Sequence, residues 1–322
     1  MQHLDAFLSA LALGPSQSVA DLTVFPLLRQ PAPQPWYDTL AEAVAGGYAR
    51  ITEISEMGSV PELRVVNESA RHILIVDGEE LIGAKQNRIV NLSILVPPKT
   101  SLTIPVSCVE AGRWRQESRE FHTSPQAFHA TGRRAKVGQV SMSLSAEGAA
   151  RSDQGAIWNE IDVKAARMAA PSPTRAASAI YDKQRGNLDR FVDGLKPVEG
   201  QVGAIFAIRG QIAGLDVFDS PRTWTLLMPK LVRSYGLDAL DLGIGGDGFV
   251  EPNPRRFLEA VSGAKCMVYP AVGVGRDLRV EGSGVVGAAL TTEHGVVHAV
   301  AFPSQDVTRP KPRRSWWPMN RR

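Results

Sequence analysis

The sequence predicts an α+β fold: a β-rich N-terminal half with antiparallel hairpins, closed by an α/β C-terminal half with a second small sheet. Three observations predict it. Short apolar runs bounded by turn residues crowd residues 20–110, helical periodicity takes over after residue 151, and two hairpins of matched build, 202–218 and 285–302, flank those helices. The chain divides into an N-terminal helix (1–19), a β-rich half (20–150), a helix and hairpin half of the same composite domain (151–303), and a basic tail (304–322) expected to be disordered.

The elements follow in order. Leu4, Phe7, Leu8 and Leu11 recur at helical spacing, and Leu22–Leu28 is a strand leading to the Pro-rich connection Gln30–Trp36. Tyr37–Gly46 reads as a helix stopped by Gly46-Gly47, and Ala49–Glu56 and Glu62–Asn67 alternate like strands. His72–Val76 then meets Asp77-Gly78, a strong hairpin signal because a type I′ turn needs positive φ at both central positions.

The stretch 88–110 organises this half. If Val96 faces Leu102 across Pro97–Ser101, then Ile94 faces Ile104, Leu92 faces Val106, Val90 faces Cys108 and Arg88 faces Glu110. All ten share one side of the sheet, and a slip by one residue would drive Asn91 and Ser93 into the core. From Gln116 to Glu147 the chain is polar and reads as a long surface flap around one weak strand, Gln139–Ser145.

Beyond it, Ser152 and Asp153 are caps for a helix carrying Ile157, Ile161 and Ala165, and Thr174–Leu195 is a second helix. The hairpin 202–208/211–218 leads to Ser220-Pro221, an N-cap followed by proline at the first helical position; Pro229 should kink or split that helix. Pro254–Val261 is a further helix, and 285–291/296–302 the last hairpin.

Composition bounds the function. With 322 residues, 43% apolar and 21% charged, the chain can bury a full core and is ordinary for a globular protein. Six of its 36 basic residues lie after residue 308; against 33 acidic residues the rest is slightly acidic, which argues against a nucleic-acid-binding body. Trp316-Trp317 among those basic residues makes the tail the one contact suited to nucleic acid, anionic lipid or a partner protein. Two distant cysteines point to a reducing cytoplasm, and neither they nor the six histidines show metal-ligand spacing. The apolar run Phe7–Leu13 lacks the preceding basic residues of a signal peptide, and no run is long enough to span a membrane.

Chemistry concentrates at the end of the central strands, where Asp77, Glu79, Glu80, Gln86, Asn87, Arg88, Glu110 and Arg113 gather. Arginines there suit phosphate or carboxylate, and a carboxylate suits a ribose or a general base. Adjacent strand residues point oppositely, so only one of Glu79 and Glu80 faces such a site; Glu80 is favoured. The plainer reading is a solvated turn with an exposed Arg88–Glu110 pair, worth about 0–1 kcal/mol. Cys108 reads as a buried small hydrophobe, and Cys266 likewise. Gly243–Gly248 formally contains GxGxxG, but it lacks the strand before and helix after that a dinucleotide fingerprint needs. Ser220 reads as an ordinary cap, Lys230, Arg233 and Tyr235 as a solvated face, and His298 as a core or edge histidine.

The stretches GEELIGAKQNR (78–88), PVSCVEAGRW (105–114), QGAIW (154–158) and GLDVFDSPRTWTLLMPKLVRSYGLDAL (214–240) resemble one family, the ARG and rhodanese-phosphatase-superfamily-associated protein domain, where ARG stands for ADP-ribosylglycohydrolase. The resemblance spans about residues 20–303. It implies the handling of ADP-ribose or related NAD-derived nucleotides, and brings no catalytic set with it. Matching polar positions include Glu79, Glu80, Gln86, Asn87, Arg88, Cys108, Glu110, Arg113, Gln154, Trp158, Asp216 and Lys230.

Two functions follow as expectations. One is an enzyme in which Glu80 or Glu110 is the general base and Arg88, Arg113, Asn87, Gln86, Glu79 and Gln154 hold a nucleotide; the cofactor is left open, with no metal motif visible although carboxylates could hold Mg²⁺ together with phosphates. The other is a binding, sensor or structural interaction module without turnover.

Overall fold

The computed structural model describes residues 2–31, 33–55, 58–241 and 251–304. The glycine-rich segment 243–248 and the basic tail with Trp316-Trp317 lie outside the described residues. The first half contains α1 (Gln2–Ser9), β1 (Ala12–Leu13), β2 (Gln17–Val19), β3 (Leu22–Leu28), β4 (Tyr37–Thr39), α2 (Leu40–Ala45), β5 (Ala49–Glu53), β6 (Glu62–Asn67), β7 (His72–Ile75), β8 (Glu79–Gly83), β9 (Arg88–Val90), β10 (Ile94–Val96), β11 (Thr100–Cys108), β12 (Phe121–Ala127) and α3 (Ala130–Glu147). The second contains α4 (Gln154–Arg167), α5 (Ser178–Gly194), β13 (Gln201–Ile208), β14 (Gln211–Phe218), α6 (Pro221–Leu240), α7 (Pro254–Ser262), β15 (Lys265–Pro270), β16 (Arg276–Gly282), β17 (Val285–Thr292) and β18 (Gly295–Pro303). The fold is mixed α+β, with a β-rich first half.

The matched hairpins β13–β14 and β17–β18 lie side by side in one sheet of nine strands, ordered β1-β3-β13-β14-β18-β17-β16-β15 with β2 on β3. This sheet is larger than two hairpins because β3 joins it from the first half, antiparallel to β13, and because the unforeseen hairpin β15–β16 extends the far end. One face is covered by Leu4 and Leu8 of α1 and Phe257 and Val261 of α7; the other packs on Leu188, Phe191, Trp224 and Leu231 of α5 and α6. Ser220 caps α6 by accepting from the Arg222 N–H, as its sequence signalled, and the helix continues through Pro229 without splitting. Asp153 caps α4 in the same way. Tyr37–Thr39 is a strand, so α2 starts only at Leu40, fixed by a capping box between Thr39 and Glu42.

Six strands form a second sheet, β12-β8-β9-β11-β6-β5, and three a third, β10-β7-β4. The three-stranded sheet is a shared layer. Ile73, Ile75, Ile94 and Val96 pack towards the six-stranded sheet, while Leu74 and Leu95 join the core against the nine-stranded one.

The double-proline hairpin does not form. Val96 pairs with Ile73, Leu102 with Val65 and Ile104 with Leu63. β10 has three residues and β11 nine, so the six-residue β6 is the longer partner for the first part of β11. The last part does pair with β9, two residues from the expected register: Val90 opposes Val106 and Arg88 opposes Cys108. An even offset keeps the same side chains on the same face, so the apolar set survives in one core. The opposite face is buried too: Ser107 donates to Asn91, whose amide donates to Ala150.

Asp77-Gly78 is a turn, with Gly78 at φ +75° and Glu79 N–H bonded to Val76 O, but β7 and β8 do not pair. The turn is a corner through which the chain passes from one sheet to the next.

The expected flap at 116–147 is instead β12 followed by α3, an 18-residue helix capped by His129. Its inner face carries Arg133 and Lys136, both wholly buried, which reads as surface in any hydropathy pattern. Both are ion-paired. Arg133 sends Nη2 and Nη1 to Asp216 at 2.6 and 3.0 Å and Nε to Asp77 at 3.2 Å; Lys136 bonds Asp77 and the Asn91 carbonyl. Helix α3 thus ties the Asp77 corner to β14. Lys230 and Tyr235, expected on a solvated face, are buried as well, bonded to Glu79 and Asp216 respectively.

Candidate functional site

Six of the predicted site residues meet at the outgoing end of β11 and the entry of β9. Arg113 bonds Glu110 Oε2 at 2.6 Å, Asn87 Oδ1 at 3.0 Å and the Ala84 carbonyl at 2.8 Å. Glu110 Oε2 also accepts the Asn87 backbone N–H at 3.1 Å, and Gln86 donates to the Glu110 carbonyl at 2.9 Å. Arg88 Nη1 donates to Gln86 Oε1 at 3.1 Å. Gln154 closes the cluster from α4, its amide accepting from and donating to the Cys108 backbone, both at 2.8 Å. Residues 110–112 are held in place by 174–177: Gly112 N–H bonds Thr174 O, and a Cβ on Gly112 would approach Thr174 Cα to 3.0 Å.

The expected Arg88–Glu110 pair is absent, because the two-residue register difference puts Cys108 opposite Arg88 and leaves Glu110 to Arg113. Arg88 is therefore the unusual group. It is fully buried, its Nε and Nη2 make no hydrogen bond among the described residues, and Glu53 Oε1 stands 4.0 Å from Nη2. Burial lowers the pKa of this guanidinium, with Cys108 and Glu53 opposing the shift. Above it lies the indole of Trp114, its ring centre 5.8 Å from the Arg88 guanidinium carbon and 5.4 Å from Lys85 Nζ. Trp114 is 48% exposed, a large apolar ring facing solvent over a buried cation. Lys85 adjoins the sequence cluster; Glu53, on another strand, had no local signal.

Glu110 suits a base poorly. Burial pushes its carboxyl up, but the bond and charge of Arg113 and the Asn87 N–H outweigh that and hold it below the usual range. Burial likewise raises the Cys108 thiol, whose Sγ donates to Gln86 Oε1 at 3.2 Å, so it is a packed thiol rather than a nucleophile.

Glu79 and Glu80 do not join this cluster. Glu79 is bonded to Lys230 and to the Val76 N–H. Glu80 opposes Ile89 while Arg88 opposes Leu81, so Glu80 and Arg88 project from opposite faces of the sheet. Glu80 accepts from Ser124 at 3.0 Å and Gln126 at 2.8 Å, and its other oxygen has no hydrogen-bond partner among the described residues. Burial raises its pKa to about 7.

Among the described residues no cluster of three or more His, Cys, Asp or Glu could hold a metal ion, and no helix is long and apolar enough to cross a membrane. No curated protein matches the chain, and no solved structure does. The family model for the ARG and Rhodanese-Phosphatase-superfamily-associated Protein domain matches residues 10–302, most of the chain, and the protein belongs to that family.

Proposed function

We propose that this protein is a receptor for an anionic, nucleotide-like ligand, ADP-ribose or another NAD-derived nucleotide, bound between Arg88 and Trp114. One observation carries the reading: a wholly buried guanidinium has two nitrogens without a hydrogen-bond partner among the described residues. Buried donors are nearly always satisfied, and a phosphate oxygen pair matches the fork of a guanidinium. Trp114 supplies the second half of such a ligand's needs, a ring face for a base. Because Arg88 is enclosed, entry requires the Trp114 loop to swing aside, and Trp114 is then the group that closes over the bound nucleotide. Glu110 is engaged by Arg113 and stays ionised there, which favours binding over turnover.

Titration calorimetry with ADP-ribose, NAD, AMP and pyrophosphate tests this, with chromatography of the same mixtures for products. Binding without product is expected, weakened about 10- to 100-fold in R88M, the loss of a charge-assisted pair of hydrogen bonds. W114A should weaken ADP-ribose and leave pyrophosphate nearly unchanged. Absence of binding up to millimolar ligand, or unchanged affinity in a folded R88M, overturns the proposal; product formation overturns the receptor reading.

A further inference from the structure

On the far side of the three-stranded sheet, three residues remote in sequence stand in a row. Ser93 leads into β10, His298 is on β18 and Asp216 on β14. Ser93 Oγ is 2.7 Å from His298 Nδ1, and His298 Nε2 is 3.3 Å from Asp216 Oδ1. In the neutral imidazole the bonding sets the tautomer: an ionised Asp216 can only accept, so Nε2 carries the ring hydrogen and Nδ1 presents a lone pair. The Ser93 hydroxyl must then donate to Nδ1, while its oxygen accepts the Asp77 N–H at 3.0 Å. A serine proton thus points at a base that is itself oriented by a carboxylate, the arrangement by which a hydroxyl becomes a nucleophile.

The surroundings hold the row in that state. Burial would raise the Asp216 carboxyl, but the Arg133 charge and the His298 bond keep it below its ordinary range. Phe218 stacks on the imidazole at 4.6 Å and fixes its plane. Exposure falls along the row, 8% at Ser93, 1% at His298 and 0% at Asp216, so Ser93 is the member of the row nearest solvent. On the same face of the nine-stranded sheet, two strands beyond β18, Arg279 is buried with Nη1 unpartnered among the described residues.

We propose that Ser93 is an acyl-accepting nucleophile, with His298 as its base and Asp216 as the residue that positions His298, acting on a small ester or thioester. Small, because only the serine end retains any surface. The Oγ–carbon bond forms as the hydroxyl proton passes to His298 Nδ1. Collapse breaks the carbon–oxygen or carbon–sulfur bond, and the leaving alcohol or thiol takes that proton. Water, deprotonated by His298, then releases the carboxylic acid and restores the hydroxyl. This site is separate from Arg88, and each proposal stands or falls alone.

The test uses the full chain with diisopropyl fluorophosphate, read by intact mass and peptide mapping, and p-nitrophenyl acetate, read by absorbance. One adduct at Ser93 is expected, absent in S93A. In H298Q the rate of inactivation should fall at least about 100-fold with the apparent inhibitor affinity unchanged, since general-base help is worth about 10²–10⁴. D216N should lower the rate at saturating reagent and change its pH profile, which a merely structural role would not do. No adduct, an adduct elsewhere, or an unchanged rate in H298Q overturns the proposal. If H298Q does not fold, S93C decides it: its new thiol must react with iodoacetamide faster than Cys108 and Cys266, and equal or slower reaction overturns it.

Discussion

Replacing Arg133 by methionine measures what joins α3 to the two sheets around it. The guanidinium is wholly buried, with two bonds to Asp216 and one to Asp77. Methionine keeps much of the volume and removes the charge. Asp77 retains Lys136, and Asp216 retains Tyr235 at 2.8 Å and His298 at 3.3 Å. Removing one partner of a buried pair costs about 3–5 kcal/mol, and these surviving donors place R133M near the lower end. That is a large part of the roughly 5–15 kcal/mol that separates most folded chains from unfolded ones. The pH dependence identifies the cause. In the parent, burial pushes Asp216 up but Arg133 and His298 hold its folded pKa below the unfolded value, so its stabilisation is present above the unfolded pKa and is lost as pH falls through the folded one. In R133M desolvation meets less opposition, the folded carboxyl holds its proton more tightly than the unfolded one, and stability recovers relative to the parent as pH falls. Urea titrations followed by far-UV circular dichroism at about pH 7.5 and about pH 5 should show a gap in midpoint that narrows at the lower pH. Equal midpoints at pH 7.5, or a gap that widens towards pH 5, would refute the reasoning.

Glu80 behaves in the opposite sense: its pKa is raised from 4.5 to about 7, mainly by burial, so the folded state loses stability as pH rises between those values. E80Q should gain on the parent by up to about 3 kcal/mol between pH 5 and 8, at 1.36 kcal/mol per unit, and a constant difference across that range in the same titrations would contradict it. Gly78→Ala must accept φ +75° and set its Cβ 2.8 Å from Arg133 Cγ; it should lower stability by more than about 1 kcal/mol, whereas the same change at an unstrained glycine stabilises by about 0.4–1 kcal/mol, and a melting temperature within a degree of the parent would show the corner to be slack. The Arg88 and Ser93 variants above supply the functional tests.

Local signals were legible where the partner of each side chain was a neighbour in sequence. Leu22–Leu28, the hairpin 201–218 and the Ser220-Pro221 helix start all carry their pattern within a few residues, and the structure keeps them. Helix α3 was not legible because its inward face is charged, and the groups that neutralise Arg133 lie 56 and 83 residues away. Hairpin β15–β16 was missed because β15 is an edge strand whose Met267 and Val268 stay exposed, so no alternation marks it. At the Arg88 site the sequence supplied the residues and their rough location. Which arginine met Glu110 depended on a register set by β6, and Glu53 and Trp114 entered only through folding.

Pairing of Leu22–Leu28 with residues 201–208 leaves the long middle of the chain looped between two adjacent strands. During synthesis the early strand emerges with its apolar residues bare, and its neighbour follows some 180 codons later. Contacts so distant along the chain slow folding. A cut near residue 150 accordingly severs one sheet rather than separating two modules.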